Sequence, residues 1–161
     1  MSRALWTGLA ILGAVLVETA LGYLFAGPGR FLDPFLLVVV YCALSGGETH
    51  GMLAGVAAGW VQDALFGGRV LGISALSKLL IGFAAGLAGG RFLISGAAAR
   101  AVTVFLATLA DGLLVPWLAS VFTLELLPQG PLALVGRAAL NALVGGALYA
   151  LVERRLQRRL P

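Results

Sequence analysis

Apolar residues run through this chain in long stretches, and polar ones gather at a few short intervals between them. Ala4 to Phe25 is long enough to span a bilayer and is interrupted by Glu18. Phe35 to Leu44 is a second run, short of the roughly 20 residues that a full span needs. Taking in Phe31 to Gly47 brings it close, so the pattern predicts a short or tilted span, with a re-entrant segment as the alternative. Two further apolar stretches follow within residues 51 to 90, then Ala101 to Val121 and Leu132 to Val152. Residues 27–34, 45–50, 67–72, 91–100 and 122–131 separate them, rich in Gly, Pro or charge, and read as turns. The pattern predicts an all-α membrane protein: one polytopic domain over residues 1–161, a bundle of six transmembrane helices with a short second span. A signal peptide is the competing reading of the first run. Its apolar stretch is long for a signal and no small-x-small cleavage site follows cleanly, so a retained helix is expected.

The stretch from 51 to 90 organises the rest. Its first half has small residues and a closing charge at Gly51, Gly55, Gly59 and Asp63; its second half has Ser74, Lys78, Gly82, Gly86 and Gly90. Residues four apart share one helix side, so each set forms a groove without side-chain bulk. In hydrocarbon such grooves let two backbones approach closely, because packing replaces the hydrophobic effect as the driving force. Asp63 lies four residues before Gly67 and Lys78 six after Gly72, so an antiparallel hairpin is expected to bring them to similar depth as an intramembrane ion pair.

Composition supports the membrane assignment. The 161 residues are 60% hydrophobic and 11% charged, far less charge than a soluble domain carries. The pI near 10 raises the question of nucleic acid. Four of the eleven basic residues, however, are Arg154, Arg155, Arg158 and Arg159 in the tail, and the others lie scattered at segment ends. That distribution fits membrane orientation and tail contact with anionic lipid, not nucleic acid. With six spans, Arg3, Arg91, Arg100 and the four tail arginines share one side; Arg30 and Arg69 lie on the other, with Arg137 just inside the sixth span. The excess predicts cytoplasmic N- and C-termini.

Charged groups at mid-bilayer cost about 2.5–3.5 kcal/mol each on insertion scales, so Glu18, Asp63, Lys78 and Asp111 need a role. The structural role is an Asp63–Lys78 pair, with Glu18, Asp111 and Asn141 as a polar interior. The functional role is a pocket for a ligand or proton. An aspartyl dyad of the lipoprotein signal peptidase kind needs two carboxyls at one depth sharing a proton. Asp63, at the outer end of its span, and Asp111, near the middle of its own, do not meet that requirement. Adjacent Ser77 and Lys78 do not share a helix face, His50 is single, and the lone Cys42 leaves no Cys/His metal site or internal disulfide. No catalytic site, metal or cofactor is expected. Trp117 with Phe122, Leu124, Leu126 and Leu127 places an apolar surface where a solvated loop would be polar. It is a candidate partner surface, or a segment resting on lipid.

Gly55-Val-Ala-Ala-Gly59-Trp-Val-Gln-Asp63-Ala-Leu-Phe-Gly67, then Leu71-Gly-Ile-Ser74-Ala-Leu-Ser77-Lys78 and Gly82, resembles the MreD family of bacterial rod shape-determining membrane proteins. The detailed match covers residues 51 to 90; elsewhere length and hydropathy agree. The resemblance implies a non-enzymatic scaffold of the cell-elongation machinery in the bacterial inner membrane. Such a scaffold binds MreC and through it connects MreB filaments to RodA and its penicillin-binding transpeptidase. It also implies a fold similar to the substrate-binding subunits of energy-coupling-factor transporters. That similarity carries the alternative function, a small-molecule-binding subunit of a vitamin-type transporter with Asp63, Lys78, Asp111 and Asn141 lining the pocket.

Overall fold

A computed structural model describes residues 3–24, 31–66, 71–91, 96–122 and 130–157, with side chains to residue 151. All secondary structure among them is helical: α1 (Arg3–Leu24), α2 (Pro34–Phe66), α3 (Ile73–Arg91), α4 (Ala97–Val121) and α5 (Pro131–Gln157). All five are long and apolar enough to cross a membrane. Five helices stand where six were expected, because the second and third expected spans are joined in α2. The 45–50 turn does not interrupt the helix as a loop; the break is confined to Gly47, whose φ of 81° lies in the left-handed region that glycine enters without strain.

At Gly47 the chain doubles back. The rings of Phe35 and Phe66 pack at a tilt of 59° with centroids 5.9 Å apart, whereas a straight helix would separate them by about 46 Å. Nearer the bend, a methyl added to Gly51 would come within 2.7 Å of the Ala43 side chain. The first arm of α2, residues 34–46, buries Phe35, Leu36, Leu37, Val39, Val40, Cys42 and Ala43. One side packs on Ile11 and Ala14 of α1 and on Ala58; another packs on Ile81 of α3, Val104 and Ala107 of α4 and Tyr149 of α5. This arm is apolar all round because it is the post around which the bundle stands.

The helix starts follow local chemistry. Asp33 caps α2, its carboxylate accepting the Leu36 N–H at 3.0 Å, and Pro34 occupies the first helical position, where no N–H is needed. At the other end of α2, Asp63 accepts the N–H groups of Gly72 (2.8 Å) and Ser74 (3.1 Å) and thereby caps α3. His50 has a partner after all. The Thr7 hydroxyl donates to the Arg3 carbonyl (3.0 Å), so its oxygen accepts from His50 Nε2 (3.2 Å), which ties α1 to the second arm of α2.

The second arm of α2 and α3 meet through glycine. Gly51 and Gly82 lie against each other's backbone, Gly55 against the Lys78 carbonyl, Gly59 against Ala75, and Gly86 against Glu48. Gly90 is not part of this contact and faces open space; Gly89 instead approaches Leu44.

Candidate functional site

The pairing of Gly51 with Gly82 and of Gly59 with Ala75 sets an antiparallel register in which Lys78 lies opposite Gly55. Asp63 is eight residues beyond Gly55, about 12 Å along the axis. The expected Asp63–Lys78 pair is therefore not formed. Gly51, Gly55, Gly59, Gly82 and Gly86 of the stripes lie in the contact and Gly90 does not, and the charged residues do not meet: Asp63 overshoots to the start of α3 and serves as its cap. Replacing Asp63 with Ala should thus cost only about 1 kcal/mol, the ordinary value of a cap. Thermal denaturation in detergent checks this against the larger losses argued below.

Lys78 instead turns toward the base of the central post. Its ammonium lies 3.1 Å from Asp33 Oδ2 and 3.6 Å from Asp111 Oδ1. Arg137 closes the other side, with Nη2 at 3.1 Å from Asp33 and 3.4 Å from Asp111. Ser77 donates to Asp111 at 2.9 Å. Asn141 accepts the Asp33 N–H at 3.0 Å and donates to the Phe31 carbonyl at 3.5 Å. Lys78, Asp33, Asp111 and Asn141 are each at most 3% exposed. Two carboxylates and two cations, supplied by the start of α2 and by α3, α4 and α5, form a closed cluster with no net charge.

Its chemistry is that of an ionic lock. Asp33 and Asp111 are bridged by Arg137 and Lys78, so the carboxylates face cations instead of sharing a proton as an acid–base dyad would. Each charge is matched by opposite charge, the condition under which ionised groups persist in a bundle interior, although the buried Arg137 Nε has no hydrogen-bond partner among the described residues.

Of the residues expected in a polar interior, Asp111 and Asn141 join this cluster. Glu18 is buried on α1 and takes no part in it. Trp117 and Phe122 are exposed, 60% and 55% respectively, and Leu126 and Leu127 lie outside the described residues. Asp33 and Arg137 were missed. Asp33 sits in an Asp-Pro pair that reads as a turn, and Arg137 was counted only toward orientation. The signal lay in the charge tally, in which Glu18, Asp63 and Asp111 outnumber Lys78 within the apolar stretches. A further buried cation was required, and Arg137 was the basic residue inside a span.

The family model described as rod shape-determining protein MreD matches residues 6–159, nearly the whole chain. No curated protein and no solved structure matches. The expected likeness to energy-coupling-factor transporter subunits thus finds no support among solved structures.

Proposed function

The chain belongs to the rod shape-determining MreD family, and from that premise we propose that it is a non-enzymatic scaffold of the cell-elongation machinery. In this role it binds MreC in the membrane and through MreC reaches MreB filaments, RodA and its penicillin-binding transpeptidase. The observation that carries the proposal is the closed cluster of Asp33, Lys78, Asp111 and Arg137. Its charges are consumed by one another, so the polar interior fixes the relation of four chain segments and leaves a rigid outer surface for partners.

In this reading the two arms of the doubled-back α2 count as separate membrane crossings, which would put both termini on one side. The arginine excess at Arg3, Arg91, Arg100 and in the tail makes that side the cytoplasm. On the opposite side, Trp117 and Phe122 present exposed aromatic surface at the end of α4. Such a patch at the edge of a membrane bundle suits a partner's helix or juxtamembrane segment.

Co-purification with MreC tests both parts. The charge-neutral pair Lys78→Met with Asp33→Asn should retain MreC, because the cluster acts as a brace and not as a recognition site. The pair Trp117→Asp with Phe122→Asp should lose most of it. Unchanged MreC recovery in the aromatic double variant would remove the proposed docking surface. Loss of MreC from a folded charge-neutral variant would make the cluster itself a binding site.

A further inference from the structure

The helices divide into two units. In the first, the second arm of α2 meets α3 backbone to backbone at Gly51, Gly55, Gly59 and Gly86, and α1 is tied on through Thr7 and His50. In the second, α4 and α5 pack around Gly146, where an added methyl would lie 3.2 Å from the Ala101 side chain. Between the units, contact runs through side chains. Leu37 lies against Gly145, the Tyr41 ring stands 5.5 Å from that of Tyr149, and Ile73 packs with Leu118 and Ala119. Side chains repack when two units slide or tilt, whereas the glycine contacts leave little room for movement inside the first unit.

The chain passes between the units once, from α3 to α4. Gly96, at the start of α4, has a φ of 100°, a backbone state that glycine enters without strain. Lys78 and Asp111 lie about 20 Å from that link along α3 and α4. A small rotation at the link therefore parts the two sides of the ionic cluster.

The four charges are shared evenly. Asp33 and Lys78, 3.1 Å apart, belong to the first unit; Asp111 and Arg137, 3.4 Å apart, belong to the second. Lys78–Asp111 at 3.6 Å and Arg137–Asp33 at 3.1 Å cross the seam, as do the hydrogen bonds Ser77–Asp111 and Asp33–Asn141. Separation breaks these, yet each unit keeps one paired acid and base and no net charge. Neither side is left with the uncompensated charge that makes opening a buried ion pair so costly. The seam also holds two buried donors with no hydrogen-bond partner, Arg137 Nε and the Tyr149 hydroxyl. Opening gives both access to an acceptor, which offsets part of the lost contact.

We propose that the α4–α5 unit rocks about the α3–α4 link, alternating between this closed state and one in which each unit retains its own ion pair. The cluster is then a clasp between two rigid units. Trp117 and Phe122 belong to the second unit, so opening carries their exposed surface relative to the central post.

Double electron–electron resonance on the purified full chain, spin-labelled in a Cys42→Ala background, tests the clasp. Leu65→Cys with Leu132→Cys places labels at exposed positions away from the link and should give two distances. Leu53→Cys with Leu148→Cys places them at exposed positions nearer the link and should give one. Asp111→Asn with Arg137→Gln removes the second unit's pair, leaves Asp33 with Lys78 in the first, and should raise the longer-distance population. Lys78→Met with Asp111→Asn leaves Asp33 and Arg137 facing each other across the seam and should lower it. Both variants keep one acid and one base, but their open populations should differ about tenfold, the effect of a coupling of about 1.4 kcal/mol. Equal open populations would overturn the proposal, since a brace indifferent to which charges remain gives that result. Equal spreading at both label pairs, which marks general loosening, would also overturn it. Where a variant fails to fold, the wild type decides: two distances away from the link with one near it sustains the clasp, and a single distance at both overturns it.

Discussion

Replacing Lys78 with Met is expected to destabilise the protein by about 3–5 kcal/mol, the range for removing one partner from a buried ionic group. Lys78 is 1% exposed and touches both Asp33 and Asp111. Without it, two carboxylates remain against Arg137 alone, and the cluster passes from no net charge to one uncompensated negative charge. Water cannot screen that charge in the bundle interior, so the full desolvation cost is felt. Adding Asp33→Asn should recover a large part of the loss. It restores neutrality, with Asp111 facing Arg137, and Asn still accepts the Leu36 N–H as a helix cap. Thermal denaturation of the wild type, Lys78→Met and the double variant in one detergent checks both statements. A conserved-charge substitution, Lys78→Arg, should also fail, because a guanidinium is larger than the fully enclosed space that the ammonium fills.

Gly55→Ala is the second large expected effect. The added methyl would strike the Lys78 carbonyl and the backbone that follows it. Backbone cannot rotate aside as a side chain can, so the second arm of α2 and α3 must separate. Ala is the better helix former by about 1 kcal/mol, which works in favour of the variant. Overpacking costs of about 1–3 kcal/mol oppose it and are at the high end where backbone meets backbone. The shift also moves Lys78 relative to Asp33, so the packing loss carries an electrostatic one with it. A net loss of stability is expected, and Gly51→Ala should behave alike because Gly51 lies on the backbone of Gly82. Gly90→Ala is the contrast: with open space around it, the helix-forming gain should leave stability unchanged or slightly raised. Denaturation midpoints of the three single variants rank these effects.

Much of the architecture was legible in the order of residues, for identifiable reasons. Long apolar runs have one solution in lipid, so α1, α4 and α5 lie within a few residues of their expected spans. The glycine spacing identified the contact between the second arm of α2 and α3, since in hydrocarbon small residues at every fourth position have few other uses. The short run from Phe35 to Leu44 gave a true but incomplete signal. Its length said that it was unusual, and only the packing shows it to be the central post.

Register was the level at which sequence reasoning failed. Placing Asp63 opposite Lys78 assumed that the two arms begin pairing at equal distances from the turn. The glycine contacts fix a different offset, in which Asp63 runs past the pairing zone to the start of α3. The true partners of Lys78 lie 45 and 33 positions away in sequence. No local pattern relates residues on separate helices, and Asp33 was hidden further by its second duty as a cap. The charge balance among apolar stretches was the accessible clue, and it calls for Arg137 without saying which acids it meets.

The central claim is that the interior charges form one closed lock whose members are Asp33, Lys78, Asp111 and Arg137. Paired double-mutant cycles on thermal stability in detergent test it most directly, using Lys78→Met with Asp33→Asn in one cycle and with Asp63→Asn in the other. The account predicts a coupling energy above about 1 kcal/mol between Asp33 and Lys78, and additivity within about 0.5 kcal/mol between Asp63 and Lys78. A larger coupling at Asp63 than at Asp33 would contradict it and return Lys78 to the hairpin.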